Sequence, residues 1–257
     1  MQGSSTKSVA NLGFIWDIDG VVVDSPHEEA WCATAMKAPW NIQDMNSDFY
    51  FKYVASVSRY EGGDNILRLM GAYERLGATT EEERNALLDE FCTDKNMLIR
   101  KLIEAGEFKL FADAITLLLS VKSIGILQAA ASASKNARDM LTRIPRSRIM
   151  DEIGDDFGVL REGDSLYSVF DVDACGIDVG SKENIQRFAA ERLNALSPGK
   201  IEKFVVFEDA PSGVEAAKSL GYYVVGVLRI GHEDTLRKAG ADIVVRDLGI
   251  VKIEELV

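Results

Sequence analysis

The chain has 257 residues, 47% of them hydrophobic, with 29 Lys and Arg against 41 Asp and Glu and a net charge of −12. That length buries one substantial core with a smaller appended domain, and an acidic balance with no offsetting basic block excludes a phosphate-backbone binder, so no nucleic-acid partner is expected. Three scattered cysteines without a C-x-x-C pair read as reduced, inert thiols, and two histidines are too few for a His-built zinc site.

In chain order, Met1–Ser8 reads as a short frayed tail without a signal-peptide core, and no apolar run reaches membrane-spanning length, so no membrane partner and a cytoplasmic location are expected. An apolar run follows (Leu12, Phe14, Ile15, Trp16) and reads as a buried strand ending in Asp17-Ile18-Asp19-Gly20. After Ser25 the apolar spacing turns helical. Helices are predicted over Glu28–Lys37, Asp64–Leu76, Thr80–Phe91 and Asn96–Glu104, separated by Gly62-Gly63 and Gly77-Ala78. This makes an all-helical domain, residues 26–106, inserted into a core of residues 1–25 and 107–257, with its connections at Ser25-Pro26 and Ala105-Gly106.

From Phe108 onward strands and helices alternate. Strands are predicted over Ile124–Ala131, Ser168–Val172, Lys203–Phe207, Tyr222–Leu228 and Ala241–Val245. Helices are predicted over Asn136–Arg143, Ser181–Leu196, Pro211–Leu220 and Glu233–Ala239. The fold class is therefore α/β, a doubly wound parallel sheet. Residues around Asp151–Ser168, rich in glycine and acids, read as an insertion forming a surface loop or hairpin near the site.

Four groups of polar residues stand at proposed strand ends. In a strand, side chains i and i+2 share a face, so Asp17 and Asp19 reach the crevice beyond its carboxyl end, where open α/β sheets bind ligands. Paired like charges repel there unless a cation lies between them. The pair thus reads as a metal-assisted site with one carboxylate free to attack, or more plainly as a solvated Asp-Gly turn. The second group is Ser132-Ala133-Ser134-Lys135-Asn136, an anion site at a helix start, although serine N-capping alone would explain it. The third is Lys182, a cation at a helix start that gains nothing from the helix dipole and makes sense with an anion beside it. The fourth is Glu208-Asp209, adjacent carboxylates ending an apolar strand, of which helix capping explains only Asp209. Together the four supply oxygen ligands for a hard divalent cation, and a serine and a lysine for a phosphate.

The pattern D-x-D-G-V, then a strand-end serine, then a lysine, then E-D, runs in that order over essentially the whole chain. In this the chain resembles the haloacid dehalogenase superfamily. More narrowly it is similar to the β-phosphoglucomutase-like subfamily, whose helical cap follows the first strand. The resemblance implies Asp17 as nucleophile, Asp19 as general acid/base, and Ser132 and Lys182 on the transferring phosphate. It also implies Mg2+ held by Asp17, the main-chain carbonyl of Asp19, Glu208 and Asp209. For the far end of a phosphorylated sugar it implies Arg59, Ser134, Lys135 and Asn136, with His27 and Lys95 where the mutase has a substrate-responsive pair. The chain departs from the family in having Glu183 where proline is common, in the longer stretch from Ser132 to Lys182, and in a shorter hinge.

The expectation is a Mg2+-dependent phosphatase of a small phosphorylated metabolite, a sugar phosphate, acting through an aspartyl-phosphate as a monomer or weak dimer. A phosphoglucomutase-type phosphotransferase is the first alternative, and a non-catalytic binding or regulatory module the second.

Overall fold

The computed structural model describes residues 11–55 and 57–256; the tail expected at Met1–Ser8, and Ser56 in the cap, lie outside them. The chain divides into two compact units, one being Ser25–Phe108 and the other formed by the sequence on either side of it.

The first strand, β1 (Leu12–Trp16), is buried along its whole length, as a continuous apolar run in a parallel sheet must be. A tight turn leads to the short β2 (Val23–Asp24). In the inserted unit, α1 (His27–Met36), α2 (Ser47–Tyr53), α3 (Arg59–Leu69), α4 (Ala72–Arg75) and α5 (Glu81–Glu104) pack around Trp31, Trp40, Ile66, Tyr73 and Phe91. The two helices predicted over Thr80–Phe91 and Asn96–Glu104 are one helix of 24 residues. Thr80 and Glu83 close a capping box at its start, and Phe91, Cys92, Lys95, Ile99 and Ile103 form one unbroken buried stripe, so nothing between them stops it. Gly62 and Gly63, expected to separate helices, lie inside α3. A Cβ on Gly63 would stand 2.7 Å from Cys92 Sγ and 3.0 Å from Leu88 Cδ1, so glycine there lets α3 approach α5. The residues predicted as one helix, Asp64–Leu76, are split at Gly71, whose φ of 63° breaks the run.

The chain returns through β3 (Lys109–Leu110), antiparallel to β2, with Val23 opposite Leu110. Then follow α6 (Ala112–Ser123), β4 (Leu127–Ala130), α7 (Ala137–Thr142), α8 (Arg146–Ile153), β5 (Val172–Asp173), α9 (Lys182–Leu196), β6 (Lys203–Glu208), α10 (Pro211–Ser219), β7 (Tyr223–Val227), α11 (Glu233–Lys238) and β8 (Ile243–Val245). The strands make a six-stranded parallel sheet in the order β5-β4-β1-β6-β7-β8. This is the doubly wound arrangement expected from the alternation of elements. One face packs Ile15, Ala129 and Val206 against Ile185, Ala189 and Leu193 of α9 and Val214 of α10. On the other, Trp16 stacks on Phe207 at 3.9 Å, and its indole N–H donates to buried Gln128, which in turn donates to the Leu118 carbonyl.

The strand predicted over Ser168–Val172 is a 3-10 turn, Leu166–Val169, followed by β5. The stretch before it is no free hairpin. Pro145 bridges Ser165, buried Asp156 pairs with Arg146 of α8, and Leu160 and Leu166 are buried. Among the described residues no helix is long and apolar enough to cross a membrane.

Candidate active site

Strand register sets the site. Trp16 lies opposite Ala130 on one side and Phe207 on the other, so the next residues of three neighbouring strands come level. Asp17 N–H donates to the Phe207 carbonyl and Ala131 N–H to that of Trp16, which carries the pairing one step past β1. Asp17, Ala131 and Glu208 therefore come level at the carboxyl edge, with Ser132 one residue further on, where an open parallel sheet presents its ligand site.

Asp17 is buried, and Lys182 Nζ donates to its Oδ1 at 2.6 Å. The same ammonium stands 3.1 Å from Glu208 Oε2. The anion expected beside this helix-start lysine is thus a pair of carboxylates. Burial works against the Lys182 charge, but Asp17 and Glu208 outweigh it and hold the ammonium well above its ordinary range. Glu208 is 1% exposed. Burial and then the Asp17 charge push its carboxyl up to about 7, despite Lys182. Burial, then Glu208 and Asp17, raise Asp209 well above the ordinary carboxylate range.

Carboxylate oxygens of Asp17, Glu208 and Asp209 lie within 4.8 Å of one another. Three such groups against one ammonium leave an excess of buried negative charge that only protons or a cation relieve. An all-oxygen donor set of this kind suits a hard divalent ion such as Mg2+. The surroundings are shaped to these acids: a Cβ on Gly20 would stand 2.0 Å from Asp209 Oδ2, and one on Gly213 2.1 Å from Glu208 Cδ. Gly213 falls inside the helix predicted over Pro211–Leu220, and its only mark in the sequence is that it follows closely on Glu208-Asp209.

Asp19 sits outside that carboxylate cluster, on the side of Ser132, whose Oγ lies 3.5 Å from Asp19 Oδ2. The turn carrying Asp19 closes on itself: Gly20 N–H donates to the Val23 carbonyl, and Val22 and Val23 N–H both donate to that of Ile18. Gly20 takes a φ of 81°, which a side chain resists. Ser132 is buried and accepts Ser134 N–H at 3.1 Å, and Ser134 Oγ accepts Asn136 N–H. Both are local turns ahead of α7, whose N-cap is Asn136 with no side-chain cap bond, so serine N-capping does not account for them, and Ser132 also faces Asp19. Lys135, on the same loop, is exposed. Gly176 backs this loop, since a Cβ there would meet Lys135 Cα at 2.8 Å, and its N–H donates to the Ser132 carbonyl.

The other three expected residues gather within the inserted unit. Lys95 Nζ lies 2.6 Å from His27 Nδ1 and 5.0 Å from the centre of the Trp31 ring. Burial first, then the charges of Lys95 and Arg59, hold His27 well below its ordinary range, so it is neutral. Arg59 opens α3, and its carbonyl accepts the Cys92 thiol.

Comparison with known proteins adds the following. The family described as "Hydrolase: haloacid dehalogenase-like hydrolase" matches residues 12–221. A crystal structure of an archaeal β-phosphoglucomutase from a Pyrococcus species is 36% identical with a TM-score of 0.77, covering 95% of this chain and 96% of that one. The Bacillus subtilis β-phosphoglucomutase is 29% identical over 246 residues, 94% of this chain and 92% of its own. A 2-deoxyglucose-6-phosphate phosphatase of Saccharomyces cerevisiae is 47% identical over 51 residues, 20% of this chain and 21% of its own.

Proposed function

Because the chain belongs to the haloacid dehalogenase-like hydrolases, a family of hydrolases and phosphotransferases, we propose that it is a Mg2+-dependent phosphatase of a phosphorylated sugar. The observation that carries this reading is the buried Asp17 carboxylate, bonded to Lys182 at 2.6 Å beside Glu208 and Asp209.

Asp17, Glu208 and Asp209 would hold the metal, with the Asp19 main-chain carbonyl as the family resemblance implies. A divalent cation bound there neutralises charge on the transferring phosphoryl group. Lys182 orients Asp17 and offers its charge to the phosphoryl oxygens, and Ser132 offers a hydroxyl. A carboxylate oxygen of Asp17 attacks phosphorus as the bond to the sugar oxygen breaks, and Asp19 gives that oxygen its proton. In the second half Asp19 takes a proton from water, whose oxygen attacks phosphorus and frees Asp17. Substrate binding by Ser134, Lys135 and Asn136 in the core, and by His27, Arg59 and Lys95 in the inserted unit, belongs to the same proposal and is supported by the subfamily resemblance.

A second reading, transfer to another sugar hydroxyl, is favoured by the likeness to β-phosphoglucomutases along nearly the whole chain. One assay separates the two. With Mg2+ and β-glucose 1-phosphate, alone and with a glucose bisphosphate primer, a phosphatase releases inorganic phosphate in both cases. Primer-dependent glucose 6-phosphate with little free phosphate would establish the mutase instead. No turnover of any phosphorylated sugar in a broad panel would defeat both.

A further inference from the structure

The turn that carries Asp19 is tied from outside by a side chain far along the sequence. Arg229 follows β7, 13% exposed, and forks onto Asp113 in the first turn of α6: Nη1 donates to Oδ2 at 2.8 Å and Nη2 to Oδ1 at 2.9 Å. Nη2 also donates to the Val21 carbonyl at 3.1 Å, and the guanidinium lies flat enough over Phe111 to bring Cζ within 4.0 Å of the ring centre. The fork itself is fixed, because Asp113 Oδ2 also accepts Leu248 N–H and Phe111 N–H donates to the Val22 carbonyl. Thus the Val21 and Val22 carbonyls, which the turn does not use internally, are both taken by this assembly.

Stability alone does not explain the arrangement. Arg229 Nε is buried with no hydrogen-bond partner among the described residues, a cost that an apolar side chain would not carry. Lysine is no substitute, being a point charge without a planar fork to span a carboxylate and a carbonyl together. Such departures from the cheapest packing are expected where a site must be held in place.

We propose that Arg229 is a positioning residue for Asp19, fixing the Val21 carbonyl so that the turn presents the Asp19 carboxylate at the reacting oxygen. This rests on the phosphatase reading for its chemical consequence, and on the geometry alone for its structural one. An alkyl leaving group needs the Asp19 proton, whereas nitrophenolate leaves without it.

The test uses the full chain with Mg2+, the variants Arg229→Lys and Asp113→Asn, and two probes, β-glycerol phosphate and p-nitrophenyl phosphate. The expected result is a fall in kcat/KM of about tenfold to a hundredfold for the alkyl ester, with less than about a threefold change for the aryl ester. Hydrogen exchange at the Val22 and Val23 amides should quicken in both variants. Equal losses on both probes, or unchanged exchange at those amides, would overturn the proposal. Should the wild-type protein hydrolyse neither probe, the phosphatase reading is left to the panel of phosphorylated sugars, and amide exchange alone decides whether Arg229 holds the turn.

Discussion

Glu208 offers a measurement made on the metal-free protein, before any substrate is known. Its carboxyl is held at about 7 against an ordinary 4.5, because ionising it in a buried site beside Asp17 is unfavourable. Between those values the folded chain keeps a proton that the unfolded chain has lost. Its contribution to stability is therefore fully present below pH 4.5 and is lost as pH rises through about 7. At about 1.4 kcal/mol per pH unit the span corresponds to about 3 kcal/mol, or on the order of 10 °C in Tm for a chain of this size. Glu208→Gln keeps the shape and removes the titration. Asp209, pushed up in part by Glu208, also ionises more easily in that variant, which widens the difference. Thermal or urea unfolding in EDTA across pH 4.5 to 8 should show the wild type losing about 3 kcal/mol more than the variant. Adding Mg2+ at pH 8 should restore the wild type far more than the variant, since metal binding takes up the charge that the proton leaves behind. Parallel pH curves for the two proteins would refute the reasoning.

Asp19→Ala should lower kcat by about 10²- to 10⁴-fold, the usual worth of a general acid/base, while Mg2+ affinity measured by calorimetry stays within a few fold. Wild-type turnover in that variant would remove the assignment. Gly213→Ala places a methyl against Glu208, so Mg2+ binding should weaken at least about tenfold; unchanged affinity would mean that the Glu208 side chain has room to move. Mg2+ affinity of the wild type should also rise with pH through about 7 as Glu208 gives up its proton, and a flat profile would count against Glu208 as a ligand.

Much of the core could be read from the sequence because its signals are local. The buried run ending at Trp16, the proline opening α10 and the serine before α9 each mark an element by its own chemistry. The alternation of strands and helices then implied a parallel sheet, and the sheet brings Asp17, Ser132, Lys182 and Glu208 to one edge. What escaped depends on partners distant in sequence. Gly62 and Gly63 look like helix breakers until Cys92 and Leu88 are seen packing against Gly63. The 3-10 turn at Leu166–Val169 carries strand-like apolar residues but is held by its own local bonds and by burial. Arg229 carried no motif at all, because its significance lies in Val21 and Asp113, more than a hundred residues away in the chain.

The central claim is that phosphate passes through the Asp17 side chain, and borohydride trapping tests it most directly. Turnover of p-nitrophenyl phosphate with Mg2+ is quenched in acid, the protein is reduced with borohydride, and peptides are mapped by mass. An acyl phosphate on Asp17 should be reduced to homoserine at that position alone, and the signal should vanish in Asp17→Asn. Phosphate release with position 17 unreduced, or reduction at a different carboxylate, would contradict the account.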